Sequence, residues 1–302
     1  MRDWHIKPMR DSTARDSGSS SAALLTAALG EPGSGRVRYG AAMAHYRAGT
    51  LSAEQLEVYR VASAHDSTDP ALLLADLGLP LPVLPAPNAE TILRALLDEA
   101  DGYLGTFSGP GIAEVRNGVA RWRDAAFIPV KTPPNTVVDA LLGPSLDACA
   151  QERASLAALI AAAAPHLHWI TYDLYDRKQI GDAFPVSHAF CSILGENGPL
   201  RTTDFDFGLF LIAPQVLYRD HCHPAPELYA PLTGPHGWRF KPDAPLVMKS
   251  AHEPVWNEPN RPHLTKVGAV PFLALYCWTR DNDKPARVLP ASDWAKLEAL
   301  RL

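Results

Sequence analysis

The sequence predicts an α+β protein in which a mainly helical N-terminal region precedes a β-rich C-terminal barrel or sandwich. Two observations support this prediction. Up to about residue 165, apolar side chains recur at intervals of three and four residues, as they do along helices. Beyond it, short β-branched and aromatic runs alternate with clusters of Gly, Pro, Asn and Asp, as they do in all-β domains. The 302-residue chain is 47% hydrophobic, which is enough for a substantial core.

The N-terminal half divides into an arm and a set of helices. Residues 1–35, rich in Ser, Gly, Asp and Arg, predict a flexible arm, and residues 36–165 predict the helical region. Ser52 and Gln55 have the spacing of a capping box at a helix start. Four prolines within residues 79–88 remove backbone donors and predict an extended linker. Helical periodicity is found over residues 39–49, 51–66, 89–105, 112–124 and 145–164.

Residues 166–302 have the pattern of an antiparallel β domain. Many short strands separated by turn residues predict a sandwich or a barrel. The last residues, 292–302, predict a closing amphipathic helix with Ser292 or Asp293 as its N-cap. The strands are predicted over residues 169–175, 188–194, 205–212, 228–232, 237–240, 245–250, 263–267 and 271–278.

Composition excludes several classes of protein. The net charge of -5, with both signs interspersed, gives no basic stripe for nucleic acid. The four cysteines lie far apart and form no CxxC pair, so neither a disulfide framework nor a zinc knuckle is expected. No secretory signal is recognised, and the longest apolar run, near residues 156–164, is too short to span a bilayer. We therefore expect a cytoplasmic protein with no membrane partner.

Residues 221–227 bring together side chains that bind metals. His221 and His223 are one residue apart, so in a strand both point to one face and Cys222 points to the other. Two prolines then turn the chain so that Glu227 can return to the same side. Two imidazoles and a carboxylate suit Fe(II), Mn, Ni or Zn and leave coordination positions open for a substrate. The spacing therefore predicts a site for one divalent metal ion.

A further ligand would complete this site, and His263 is the predicted one. His252 is held in reserve as an alternative. His188 and His236, like most single histidines in a β domain, are interpreted as hydrogen-bonded structural groups.

The first motif resembles that of the cupin superfamily, which has two His one residue apart, then Glu, then Gly seven residues later. His221, His223, Glu227 and Gly234 match this pattern. The leading Gly of the motif is replaced by Gln215. In the second motif, Glu258, Asn260 and Val267 stand in place of the Pro, the Gly and the final Asn, and His263 matches the His. The resemblance implies a double-stranded β-helix fold.

A closer resemblance is to the cupin lyases that cleave dimethylsulfoniopropionate. It covers most of residues 204–278, through FDFGLFLIAPQVLYRDHCHPAPELYAPLTG, the segment from Trp256 to PNRPH, and PFLALYCW. It implies metal ligation by His221, His223, Glu227 and His263, and it places the catalytic tyrosines on Tyr229 and Tyr218.

The resemblance implies a metal-dependent β-elimination on a small carboxylate substrate, giving dimethyl sulfide and acrylate. Tyr229 would be the base, and Tyr218 would orient the substrate or act as a second base. Aromatic faces would hold the cationic sulfonium. Trp256 is the substrate-binding residue chosen from a larger set, which also contains Trp278, Tyr276, Trp238 and Phe207.

Other functions use the same ligands. An Fe(II)-dependent oxygenase or isomerase acting on another small molecule is one alternative, and a non-catalytic cupin that binds a ligand is another, because fold and ligands do not fix function. The long helical region exceeds the short helical lead of the smaller lyases. It is expected to act as a lid, a scaffold or a homodimer contact.

Overall fold

A computed structural model describes residues 24–83, 86–173 and 175–302. Most of the predicted arm, residues 1–23, lies outside these ranges. The chain forms two compact units that divide between Thr91 and Ile92. The predicted boundary at residues 165 and 166 lies inside the second unit, just after a long helix ends at Ala163.

Between residues 34 and 83, the described part of the first unit contains three helices: α1 (Ser34–Arg47), α2 (Ala53–Ala62) and α3 (Pro70–Asp76). The predicted capping box is present at the start of α2. The Ser52 hydroxyl accepts a hydrogen bond from the Gln55 backbone N–H, and the Gln55 side chain accepts one from the Ser52 N–H at 2.8 Å. Helix α3 has no counterpart among the sequence predictions.

The second unit begins with α4 (Ala89–Leu104), α5 (Ile112–Trp122) and α6 (Thr136–Ala163). Helix α6 starts well before the predicted residue 145, because Asn135 caps it by accepting hydrogen bonds from Val137 and Val138 N–H. The helix kinks at Arg153, which has φ -135° and ψ 56°. A short helix, α7 (Arg177–Ile180), precedes the sheets, and α8 (Trp294–Ala299) follows them.

Eleven strands in the described residues form two sheets. Their order is β2-β1-β3-β10-β5-β8 in the first and β11-β4-β9-β6-β7 in the second. From β3 to β10 successive strands alternate between the sheets except at β6 and β7, which pair with each other in the second sheet. This is the arrangement of a jelly roll, the double-stranded β-helix of cupins. The predicted fold class is therefore confirmed. The strands are β1 (His188–Gly195), β2 (Leu200–Arg201), β3 (Asp206–Ile212), β4 (Leu217–Cys222), β5 (Glu227–Pro231), β6 (His236–Arg239), β7 (Val247–Lys249), β8 (Val255–Asn257), β9 (His263–Lys266), β10 (Phe272–Trp278) and β11 (Arg287–Val288).

The strand predicted over residues 169–175 is wrong except at one position. Ile170 forms a single bridge with Phe190, and the chain on either side of it is irregular. The residues that follow, including Tyr172 and Tyr175, line a cavity instead of extending a sheet.

The first sheet is buried on both faces. Leu209 and Leu211 of β3 pack with helices α4 to α6, whereas Phe210 and Ile212 face the interior shared with the second sheet. Alternating strand residues point to opposite faces, so both faces of this strand must be apolar. The helices after residue 92 therefore belong to the same compact unit as the sheets because they cover one of them.

A buried ion network fixes α8 against the second sheet. The Arg239 guanidinium donates to Asp220 at 2.9 and 2.5 Å and to Asp293 at 2.9 and 2.7 Å. Asp293 is the N-cap residue of α8, but its carboxylate pairs with Arg239 and makes no capping hydrogen bond. The Trp294 indole also donates to Asp220, at 2.7 Å. Since Asp220 precedes His221 in β4, this network holds the strand that carries a predicted ligand.

The four cysteines are free and buried. Within the ranges that the structure describes, we find no helix with both the length and the apolar character that crossing a bilayer requires.

We expect Gly208→Ala to lower the free energy of unfolding by about 3 kcal/mol. A Cβ at this position in β3 would lie 1.9 Å from the Cys191 carbonyl oxygen of β1, so the strands would have to separate. Urea denaturation measures the change. Gly102→Ala in α4 is the control, because its Cβ would meet nothing within 4 Å; it should stabilise the helix by about 0.5 to 1 kcal/mol. Equal effects of the two changes would contradict the packing argument.

Candidate metal centre

The structure brings the four predicted ligands together in the interior of the barrel. His221 is the last residue but one of β4 and pairs directly with His263, the first residue of β9. One ligand nitrogen from each of these two and from His223 all lie within 4.8 Å of one another. The Glu227 Oε2 atom lies 3.4 Å from His223 Nε2 and 3.3 Å from His263 Nε2. All four residues are buried.

Two residues that depart from the cupin motifs adopt the backbone conformation that glycine would supply. Gln215 has φ 63° and Asn260 has φ 59°, both in the left-handed region. Asn tolerates this region better than most residues. The Asn260 N–H also donates to the His223 carbonyl oxygen at 2.8 Å, so it helps to fix the turn that carries a ligand.

The three imidazoles are held in the tautomer that a metal requires. Nδ1 lies 2.8 Å from the Arg219 carbonyl oxygen in His221, 2.8 Å from that of Ala225 in His223, and 2.9 Å from that of Arg261 in His263. A carbonyl oxygen only accepts hydrogen bonds, so each Nδ1 carries the proton and each Nε2 has a free lone pair.

These lone pairs provide a test of whether the site fits a metal ion. The Nε2 atoms of His223 and His263 are buried and have no hydrogen-bond partner. Both face the Glu227 carboxylate, so acceptor atoms point at one another, an arrangement that is unfavourable unless a cation lies between them. The chain's own residues therefore fit one divalent metal ion with three nitrogen ligands and one oxygen ligand.

Glu227 is held from outside the histidine cluster. The Trp278 indole donates to its Oε1 at 2.7 Å, and the Asn257 amide donates to its Oε2 at 3.0 Å. Sequence reasoning missed Asn257. The only feature that marks it is its position two residues after the start of β8, where it pairs with the predicted metal ligand Glu227.

The other histidines of the β half have different partners. His188 Nδ1 bonds to the Phe184 carbonyl oxygen at 2.7 Å, and its Nε2 accepts from the Tyr172 N–H at 3.1 Å. His236 accepts from the Gly268 N–H at 3.1 Å. The reserve ligand His252 bonds to the Tyr103 hydroxyl at 2.8 Å, on the helical side of the unit. The structure therefore does not bring it to the cluster.

A cavity of about 430 Å³ opens onto the cluster of predicted ligands. Its volume is typical of a site for a small molecule. His221, His223 and Glu227 line one part of it. Its walls are mainly aromatic and include Tyr175, Phe184, Phe190, Phe210, Tyr218, Tyr229, Tyr276 and Trp278.

Both predicted catalytic tyrosines line this cavity. The Tyr218 ring stacks on His221 with centroids 3.9 Å apart, and its hydroxyl is hydrogen-bonded to that of Tyr175 at 2.8 Å. Tyr229 lies two residues after Glu227 on the cavity side of β5. Burial raises the pKa of both phenols, and the neighbouring Tyr175 and Glu227, respectively, raise it further. Both therefore keep their protons unless a positive charge lies close by.

Trp256 does not reach the cavity. It pairs with Leu228, and both pack against the helical core on the opposite face of the sheet. The Trp256 ring fills the space above Gly111, where a Cβ would lie 2.0 Å from it. Its strand neighbours Val255 and Asn257 face the interior instead, because side chains alternate along a strand. Trp278 and Tyr276, from the larger aromatic set, do line the cavity.

Asp206 is a cavity-lining residue that sequence reasoning also missed. It pairs across β10 with Trp278, which pairs in turn with Glu227, so the three form one row on the inner face of the sheet. The Tyr276 hydroxyl donates to its carboxylate at 3.1 Å. Burial raises the pKa of Asp206 to about 6, against the opposite effects of Ser192 and Tyr276.

We expect Asp206→Asn to increase the free energy of unfolding. The increase should be about 1 to 3 kcal/mol larger at pH 7.5 than at pH 4.5. The folded-state pKa of about 6 exceeds 3.8, the usual pKa of an aspartate side chain. The charge therefore costs stability in full above pH 6, and the cost disappears as the pH falls towards 4. Urea denaturation at both pH values measures the difference. Asp147→Asn, an exposed carboxylate, is the control, and an equal pH response of both variants would contradict the prediction.

The fold and the buried cluster together define a cupin with three histidines and one carboxylate in its interior. Within that class, the family model for dimethylsulfoniopropionate lyase matches residues 117–274, more than half of the chain, so the protein belongs to this family. The relative described as "putative dimethylsulfoniopropionate lyase DddL", from Cereibacter sphaeroides, is 28% identical over 219 residues, which cover 67% of this chain and 90% of that protein.

Solved structures of dimethylsulfoniopropionate lyases are also similar. One, described as of RdDddP and RnDddQII, has a TM-score of 0.47 and 20% identity, and the match covers 67% of this chain and all of that one. DddQ from Ruegeria pomeroyi has a TM-score of 0.46 and 19% identity, and the match covers 65% of this chain and 95% of that one.

Proposed function

We propose that the protein is a metal-dependent carbon–sulfur lyase that cleaves dimethylsulfoniopropionate into dimethyl sulfide and acrylate by β-elimination. One observation carries the proposal. Two buried imidazole nitrogens with free lone pairs and the Glu227 carboxylate converge beside the cavity that also contains Tyr229. Membership of the lyase family supports the choice of substrate.

The ligands of the metal would be His221, His223, Glu227 and His263. When bound, a divalent cation would withdraw electron density from the substrate carboxylate and favour the phenolate form of a nearby tyrosine. Trp278 and Asn257 hold the Glu227 oxygens in place, which fixes this ligand before a substrate arrives.

In this proposal Tyr229 removes a proton from the carbon next to the substrate carboxylate. The electron pair of that C–H bond forms the new double bond, and the bond between the β-carbon and sulfur breaks. Sulfur keeps the bonding pair and leaves as neutral dimethyl sulfide, while the proton remains on the Tyr229 oxygen. Tyr218, fixed by its hydrogen bond to Tyr175 and its stacking on His221, orients the substrate.

The protein's environment suits such a base. Tyr229 lies against Phe210, with centroids 5.9 Å apart, and against Phe272, also at 5.9 Å. These rings pack against the phenol and help to fix its position in the cavity wall.

A headspace assay tests the proposal. The full chain is stripped with a chelator, reloaded separately with Fe(II), Zn, Mn or Ni, and incubated anaerobically with dimethylsulfoniopropionate. We expect equal amounts of dimethyl sulfide and acrylate from at least one metal-loaded form, and none from the stripped protein. Folded, metal-loaded protein that releases neither product would refute the proposal. Oxygen consumption by the Fe(II) form with another substrate would favour the oxygenase alternative.

A further inference from the structure

Asp206 lines the cavity but has no role in the elimination described above. It begins β3, two strands away from Glu227 in the same sheet, and lies in the same cross-strand row. Neighbouring strands are about 5 Å apart, so the two backbones are about 10 Å apart. Side chains opposite one another in a row point to the same face. The cavity therefore has the metal cluster on one side and a second carboxylate on the other.

This second carboxylate has no cationic partner. Its Oδ2 atom accepts a hydrogen bond from the neutral Tyr276 hydroxyl at 3.1 Å, and the Ser192 hydroxyl lies beside it. No Lys, Arg or His in the described ranges forms an ion pair with it. Other carboxylates inside the unit are neutralised: Asp220, for example, is paired with Arg239 at 2.5 Å. Burying an unpaired carboxylate is costly, and burial raises the pKa of Asp206 to about 6.

Aromatic rings surround this part of the cavity. Tyr276 holds the carboxylate, and Phe190 meets Tyr276 edge to face with centroids 6.2 Å apart. Trp278 lies between Asp206 and Glu227 in the row. Aromatic faces attract cations, and a carboxylate beside them adds a full opposite charge. A neutral or anionic group would gain no charge attraction from this wall.

We propose that Asp206 is the specificity-determining residue of the cavity and selects substrates whose leaving group is an onium cation, sulfonium or quaternary ammonium. The inference rests on the proposed function, in which the substrate carboxylate lies at the metal cluster. The opposite end of the substrate then faces Asp206. The Tyr276 hydroxyl holds the Asp206 carboxylate in its position.

The chemistry gives this arrangement a direction. The onium group is positive before the carbon–heteroatom bond breaks and neutral afterwards, because it leaves with the bonding electron pair. Asp206 therefore attracts the substrate and has no charge interaction with the neutral product, which favours release. Since the attraction is already present in the bound substrate, its loss should raise KM more than it lowers kcat.

Equilibrium binding to the metal-loaded full chain tests the inference with two ligands of nearly the same shape. One is 3-(trimethylammonio)propanoate, which is cationic at the end facing Asp206, and the other is 4,4-dimethylpentanoate, which is neutral there. We expect wild-type protein to bind the cationic ligand at least about 10-fold more tightly. In Asp206→Asn we expect the two affinities to converge to within about 3-fold, through weaker binding of the cation only.

Two controls separate this role from others. Asp283→Asn removes an exposed carboxylate that also lines the cavity, and it should leave the preference unchanged. Tyr276→Phe keeps the Asp206 charge and should reduce the preference only slightly. In turnover, Asp206→Asn should raise KM about 10-fold and change kcat by less than about 3-fold. A collapse of kcat with unchanged binding would instead make Asp206 the base and overturn the inference.

The outcomes distinguish this inference from the proposed function. Equal affinity of wild-type protein for the two ligands would overturn the inference without any variant, and so would an unchanged preference in Asp206→Asn. A preference that depends on Asp206, without dimethyl sulfide release, would refute the lyase proposal and leave the onium site standing. Dimethyl sulfide release without a preference that depends on Asp206 would overturn this inference and leave the lyase proposal standing.

Discussion

Replacing His263 with alanine is expected to weaken metal binding by more than about 100-fold and to abolish turnover. The residue supplies one of the three ligand nitrogens that lie within 4.8 Å of one another. Its loss also removes a buried Nε2 atom that lies 3.3 Å from the Glu227 carboxylate. The proposed metal ion would then lose one of its four ligands. Metal content after dialysis against a competing chelator measures the effect.

A graded series makes this prediction specific. Asn257→Ala removes only the 3.0 Å hydrogen bond to Glu227, and changes of this kind typically weaken a metal about 10- to 100-fold. His236→Gln changes a buried histidine that accepts a hydrogen bond from Gly268 elsewhere in the barrel, and it should retain the metal. Full metal content in folded His263→Ala would remove this residue from the ligand set, and equal losses in all three variants would indicate general unfolding.

Tyr229→Phe is expected to lower kcat by about 10²- to 10⁴-fold, the usual contribution of a general base, while metal content stays at the wild-type level. The change removes one hydroxyl and keeps the ring that packs between Phe210 and Phe272. Stability should therefore change little, and the loss should lie in proton removal. Anaerobic rates of dimethyl sulfide release at saturating substrate, with metal analysis of the same sample, measure it.

Two other tyrosines serve as comparisons. Tyr218→Phe removes the hydrogen bond to Tyr175 and should lower kcat less than Tyr229→Phe does, because it acts on orientation. Tyr46→Phe changes an exposed tyrosine of the first unit and should have no effect. Wild-type kcat in metal-loaded Tyr229→Phe would show that another group removes the proton.

Much of the ligand set can be predicted from local sequence. His221 and His223 share a face because side chains alternate along an extended chain, and that holds in any strand. The turn that returns Glu227 is equally local. His263 required comparison with a degraded second motif, in which it matches the His and Asn260 replaces the Gly. The structure shows that Asn260 adopts the left-handed conformation of that glycine, with φ 59°.

The surroundings of the cluster could not be predicted in the same way. The row Asp206, Trp278 and Glu227 joins β3, β10 and β5, which are neighbours in the sheet although β5 ends at Pro231 and β10 begins only at Phe272. Strand order in a jelly roll is set by the pairing of distant segments. Which aromatic residues reach the cavity depends on the register of that pairing, and for this reason Trp256 was chosen where Trp278 lies.

The sequence by itself determined the end of the long helical region near residue 165, the pair of imidazoles one residue apart and the capping box of α2, because each depends on the periodicity or spacing of neighbouring residues. Only the tertiary structure decided that helices α4 to α6 cover the first sheet, that Asn257 and Trp278 hold Glu227, and that an unpaired carboxylate faces the cluster. The physical reason is that burial and cross-strand register are properties of the assembled sheets, and no single segment contains them.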